Sequence, residues 1–168
     1  MNSVTTLVIG GFVLSAKPLE FITSQLKNYH YIDVNQLLPE FTLQSQAQII
    51  ISQHVCDKQK VQIIAYSCGG LLALTLLQLA PDNIHKLVML NSTPCFMAQE
   101  NWQGISNANL QRLRQRLNKQ TLAEFTNYFT ALAAHPESID QKDARQWQNL
   151  EANRDTLIIW LELIEQTD

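Results

Sequence analysis

A serine between small residues, directly after a β-branched run and directly before a long apolar stretch, constrains this chain more than any other feature. The run is Val61 to Ala65, the serine is Ser67, and Cys68, Gly69 and Gly70 lead into Leu71 to Leu79. A strand that turns into a helix at a single residue leaves almost no room for side chains two before and two after the bend. Ala65 and Gly69 meet that demand. The bend presents the serine hydroxyl at the end of the strand, as a candidate nucleophile. An absence matters equally: no histidine stands where such a serine needs one.

The rest of the chain supplies the setting. Four short apolar runs, Val4 to Ile9, Tyr31 to Val34, Val61 to Ala65 and Leu87 to Leu90, alternate with helical patterns. Leu19, Ile22 and Leu26 repeat at three and four, as do Ala47, Ile50 and Ile51, and then Leu72, Leu76 and Leu79. Strands without polar alternation, separated by helices, predict a parallel sheet covered on both faces, an α/β doubly wound architecture. After Leu90 only helical periodicity remains, following a loop signal over Asn91 to Trp102. The expected partition is a sheet portion, 1–97, and a helical portion, 98–168.

Composition excludes several classes. The 168 residues carry a net charge of −3, which gives nucleic acid no electrostatic foothold. Cys56, Cys68 and Cys95 are odd in number and widely spaced, as thiols in a reducing compartment are, and they form neither a disulfide nor a zinc framework. The N-terminus lacks a basic n-region and Leu157 to Leu163 is too short to cross a bilayer, so the expectation is a soluble, cytoplasmic protein.

Ligands bind such sheets beyond the carboxyl ends of the strands. Ser67 falls there, and so does Gly10-Gly11-Phe12 after the first strand. The backbone N–H groups of Phe12 and Cys68 are therefore candidate donors to one oxyanion, each worth roughly 3–4 kcal/mol of barrier. The helix starting near Cys68 adds its positive end. A serine also needs a base, and an acid to orient that base, in the chain order serine, acid, histidine. His30 and His85 are expected just before their strands and His54 near the end of a helix feeding one, all at the wrong end of the sheet. His135 lies in the helical portion with no second feature marking it as a base. Asp33 reads as a strand-end cap.

These residues resemble the α/β-hydrolase superfamily. Ser92-Thr93-Pro94-Cys95-Phe96, with Trp102-Gln103-Gly104-Ile105, Phe129-Thr130-Ala131-Leu132 and Asp143-Ala144-Arg145, is similar to the pimeloyl-[acyl-carrier protein] methyl ester esterases of biotin synthesis. The resemblance implies a partial α/β-hydrolase fold of about four parallel strands with a helical lid. It implies Ser67 as nucleophile, Phe12 and Cys68 amides as oxyanion donors, and Phe129, Thr130, Ala131, Leu132 and Ala133 as lining of an acyl channel. Arg145 would meet an acidic acyl carrier protein. No cofactor or metal is called for. The chain departs from the family at Gly10-Gly11, where a His-Gly pair is usual, and at Glu124, Tyr128 and Gln141, where arginines are usual. The strands that carry the family's catalytic Asp and His have no counterpart before Asp168.

The expected function is a serine carboxylesterase acting on the methyl ester of pimeloyl-acyl carrier protein or a related short acyl ester. The alternatives are a non-catalytic acyl-binding relative and a shortened gene product. A sheet lacking its last strands is expected to have an open edge beside Leu87, suited to self-association.

Overall fold

The computed structural model describes residues 4–36, 42–55, 60–149 and 151–167. Cys56 lies outside them. Four strands, β1 (Thr5–Ile9), β2 (Tyr29–Ile32), β3 (Val61–Tyr66) and β4 (Ile84–Leu90), form one sheet in the order β2-β1-β3-β4. Every pairing is parallel. The seven helices among the described residues are α1 (Glu20–Thr23), α2 (Leu43–His54), α3 (Gly69–Leu79), α4 (Asn107–Lys119), α5 (Leu122–Ala134), α6 (Gln141–Trp147) and α7 (Arg154–Gln166). This is a partial α/β-hydrolase fold, a parallel sheet wound with helices and roofed by four more.

The central strands follow from their residues. All five residues of β1 are buried, which a strand covered on both faces requires. Ile9 pairs with Ala65, and Ala65 with Met89, so the ends of β1, β3 and β4 draw level. The outer strands are more polar at their amino halves. β4 starts at Ile84, three residues before the expected Leu87, because exposed His85 and Lys86 are tolerated at an edge. β2 also starts earlier and ends earlier than the expected Tyr31 to Val34. Asp33 Oδ1 accepts the Asn35 N–H at 2.9 Å, and the chain enters a 3-10 turn over Val34–Gln36.

These shifts move two histidines relative to expectation. His30 and His85 lie inside strands rather than before them. His30 pairs with Leu7 and stacks on His54 from the last turn of α2, ring centroids 4.8 Å apart.

The helix starts are written in the sequence. Thr42 and Ser45, and Thr121 and Glu124, form capping boxes at α2 and α5. Ser106, Asp140 and Asn153 cap α4, α6 and α7 with their side chains. The helical portion does not sit apart from the sheet. Trp160, Leu157 and Leu161 of α7 share one buried cluster with Leu7, Ile9 and Ile63 of the strands. The Trp160 indole N–H donates to the Val34 carbonyl at 2.8 Å and so fastens α7 to the turn after β2.

Two measurements check this packing. Trp160→Phe removes the indole donor and leaves a buried carbonyl without it, so urea denaturation should show a loss of about 1–3 kcal/mol. Burial, and then the neighbouring His30, hold His54 below its ordinary value. The unfolded chain therefore takes up that proton first, and stability falls as pH drops through the ordinary histidine range. Denaturation midpoints measured from pH 7.5 down to 5.5 should decline, and His54→Asn should flatten the slope.

Candidate active site

The bend between β3 and α3 is strained where the hydroxyl is presented. Ser67 has φ 52°, a left-handed conformation that costs a non-glycine residue of order 1–3 kcal/mol. Backbone bonds hold it: the Ser67 N–H donates to the Leu90 carbonyl at 3.0 Å, and the Ser67 carbonyl accepts from the Gly70 N–H at 3.0 Å. Val13 (φ 67°) and Asn91 (φ 46°) are the other non-glycine residues with positive φ among those described. The three follow β1, β3 and β4, so the strain is concentrated along the carboxyl edge of the sheet.

Glycine at 69 and 70 is imposed by neighbours. A Cβ on Gly69 would lie 2.3 Å from the Gly10 carbonyl oxygen, and one on Gly70 would lie 1.9 Å from Ser92 Oγ. The loop after β1 lies directly on the bend: a Cβ on Gly11 would stand 2.7 Å from the Tyr66 ring and 3.1 Å from Ser67 Cβ. The departure at position 10 also has a physical reason. A Cβ there would fall 2.3 Å from the Tyr31 hydroxyl, so the phenol fills the space that a residue-10 side chain would need. That hydroxyl is buried without a hydrogen-bond partner.

Phe12 and Cys68, whose amides are the expected oxyanion donors, are both buried. Burial pushes the Cys68 thiol up to about 12, while hydrogen bonds from the backbone of Phe12 and of Cys68 itself pull it the other way. Cys68 is buried at the amino end of α3, next to the half-buried Ser67. The thiol is fully protonated at neutral pH and serves as packing, not as a nucleophile.

Aromatic rings from α5 pack on Phe12. The Phe12 ring meets Phe129 edge-on at 5.0 Å and Phe125 edge-on at 6.2 Å. Of the five consecutive residues expected to line a channel, only Phe129 contacts Phe12 in this way. Thr130 is buried and donates its hydroxyl to the Thr126 carbonyl at 2.8 Å, while Ala131, Leu132 and Ala133 are exposed. Successive helical residues stand about 100° apart, so five in a row cannot share a face. Phe125, one turn before Phe129, makes the other ring contact with Phe12 instead.

Arg145 is exposed in the last turn of α6. On α4, Arg114 bonds Glu165 of α7 at 2.6 Å, and the Arg116 guanidinium stacks 4.0 Å over the Tyr128 ring. Glu124, where the family has arginine, closes the capping box of α5. The side chain of Gln141 lies outside the described residues. The loop after β4 folds on itself as its residues require. The Trp102 indole N–H donates to the Cys95 carbonyl at 2.9 Å, and a Cβ on Gly104 would stand 2.5 Å from the Phe96 carbonyl oxygen.

No hydrogen bond joins Ser67 to a histidine among the described residues. His85 is at the amino half of β4, His30 and His54 stack at the β2 edge, and His135 is exposed at the end of α5. No group of three His, Cys, Asp or Glu suited to a metal occurs among the described residues. No helix among them is long and apolar enough to cross a membrane. Sequence reasoning missed the part of Asn35, a buried residue whose side chain bonds the loop after β1. Its only local signal is Asp33 two residues before it.

Gly69→Ala should cost about 1–3 kcal/mol in urea denaturation, since a backbone carbonyl cannot move aside. Gly70→Ala should cost less, because the Ser92 side chain can rotate. Peptide mapping after iodoacetamide at pH 8 should find Cys68 unmodified in the native protein and modified in urea.

Comparison with known proteins bears on the fold and the family. Residues 40–161 match the family described as the alpha/beta hydrolase fold. The chain is 30% identical over 120 residues to the pimeloyl-[acyl-carrier protein] methyl ester esterase of Proteus mirabilis (strain HI4320), covering 67% of this chain and 45% of that protein. It is 27% identical over 147 residues to the protein of the same name from Pectobacterium carotovorum, covering 83% of this chain and 56% of that one. The chain thus spans about half the length of these curated relatives. Among solved structures, a carboxylesterase of the thaumarchaeon Nitrososphaera gargenis superposes with a TM-score of 0.70 at 10% identity, over 99% of this chain and 65% of that one. The strained serine between β3 and α3, the parallel sheet and the family match together show that this chain belongs to the alpha/beta hydrolase fold family and is a distant relative of the pimeloyl-[acyl-carrier protein] methyl ester esterases.

Proposed function

We propose that the chain is built for carboxylic ester hydrolysis through an acyl-enzyme on Ser67, and that its ester is the methyl ester of a pimeloyl group carried on acyl carrier protein. The observation that supports the chemistry is a left-handed Ser67 at the bend between β3 and α3, with the Gly10-Gly11-Phe12 loop packed directly on it. In this reading Ser67 Oγ forms a bond to the ester carbonyl carbon, and the carbonyl oxygen, now negative, takes the place at the two amides. The C–O bond to the methoxy group then breaks, and methanol leaves carrying the proton that the Ser67 hydroxyl gave up. Water attacks the acyl-serine in the same way and releases the free carboxylate. Substrate identity rests on the names of the relatives alone.

The acyl chain would run along half-buried Phe129, whose ring packs edge-on against Phe12 in the loop after β1. The carrier protein is acidic in this reading and would be met by exposed Arg145 and by Arg112 and Lys119 of α4. Arg114 is already engaged by Glu165.

A second reading has its own observation: no hydrogen bond joins Ser67 to a histidine among the described residues. An acyl-binding protein without turnover would keep the aromatic wall and the amides and need no base.

Three measurements separate the readings. A fluorophosphonate should label Ser67, and Ser67→Ala should abolish the label. Methanol release from the methyl pimeloyl carrier protein should fall at least ~10³-fold in Ser67→Ala. No methanol from either protein, with equal binding of the carrier protein by both, would favour the second reading and overturn the first. Phe129→Ala should raise KM for the acyl substrate more than it lowers kcat.

A further inference from the structure

We propose that Asn35 is a positioning residue of this site, whose side-chain amide sets the direction of the Phe12 N–H by holding the carbonyl at the other side of the same peptide. The proposal rests on the esterase reading for its consequence, though not for its geometry. Asn35 is wholly buried. Its Nδ2 donates to the Gly11 carbonyl at 3.0 Å, to the Leu14 carbonyl at 3.1 Å and to Asp33 Oδ1 at 3.0 Å. Its Oδ1 accepts the Val13 N–H at 2.6 Å. Three acceptors surround the nitrogen and one donor faces the oxygen, so the amide has one satisfied orientation.

The consequence follows from peptide planarity. In a trans peptide the carbonyl of Gly11 and the N–H of Phe12 point in opposite directions. With the Gly11 oxygen held toward Asn35, the Phe12 N–H must face the other way, in a loop that lies on the bend, where a Cβ on Gly11 would stand 3.1 Å from Ser67 Cβ. The same amide holds Val13, the next residue, in its left-handed conformation of φ 67°. Rotation of the Gly11–Phe12 peptide would turn an oxygen toward the oxyanion and convert a donor into a repulsive group.

Asn35 is itself fastened. Asp33 Oδ1 takes its backbone N–H at 2.9 Å as well as its side chain, and Asp33 Oδ2 accepts from Asn149 Nδ2 at 2.7 Å. The Asn35 carbonyl accepts the Asn153 N–H, and the Val13 carbonyl accepts the Asn149 N–H. The segment between α6 and α7 therefore grips the same loop. One buried amide ties the roof of helices to the orientation of a single N–H.

Asn35→Asp tests this. It keeps the shape and the acceptor for the Val13 N–H but removes both Nδ2 donors. In the folded variant, hydrogen exchange at the Phe12 amide should accelerate at least ~10-fold, while the β1 amides of Leu7 and Ile9 keep their protection. Fluorophosphonate labelling of Ser67 should slow at least ~10-fold, as loss of an oxyanion donor does. Unchanged Phe12 exchange in the folded variant overturns the proposal. Labelling at the wild-type rate in a variant with accelerated Phe12 exchange overturns its catalytic consequence. Absence of labelling in the wild-type protein defeats the esterase reading instead, and the Phe12 exchange result then decides this proposal alone. Where Asn35→Asp fails to fold, Asn35→Ser, smaller and uncharged, is measured the same way.

Discussion

The close approach of two backbones governs this structure. The carbonyl of Gly10 passes so near the α-carbon of Gly69 that no side chain fits between them. That contact presses the loop after β1 onto the start of α3, and everything functional is gathered around it. Ser67 takes its left-handed turn on one side, and the Gly10-Gly11-Phe12 loop is pressed against the bend on the other. The local strain is offset by burial of β1 and β3, which are parallel, register-matched and covered on both faces.

The rest of the chain serves to hold that loop still. A polar network built on Asp33, Asn35 and Asn149 links the end of β2, the loop after β1 and the segment before α7. Buried polar groups of this kind are stabilising only when each has its partners, and here each amide valence of Asn35 is used. The aromatic contacts of Phe12 with Phe125 and Phe129 add the apolar side. The helices after β4 are therefore part of the site's support, and the burial of Trp160 among strand residues shows the same integration in the core.

Much of this was legible in the sequence because it depends on neighbours along the chain. The bend needs small residues at fixed offsets from Ser67, and Ala65, Gly69 and Gly70 stand at those offsets. The strands appear as short β-branched runs, and the capping boxes at Thr42 and Thr121 lie within four residues. Strand ends were less legible. The boundary of β2 is decided by one side-chain bond from Asp33, and β4 extends over His85 and Lys86 because an edge tolerates polar residues. The channel residues implied by the resemblance form one continuous stretch, and helical rotation turns three of the five toward solvent.

Sequence alone determined the alternation of strand and helix, the place of the serine at a turn and the want of a histidine beside it, since each is a statement about order and spacing. Only the tertiary structure decided that Tyr31 occupies the room of a residue-10 side chain, that Phe125 packs on Phe12, and that Asn35 faces the peptide before Phe12. Those contacts join residues 21 to 113 positions apart. Nothing in local propensity encodes them, because they come into being only when the sheet has brought the strand ends to one edge.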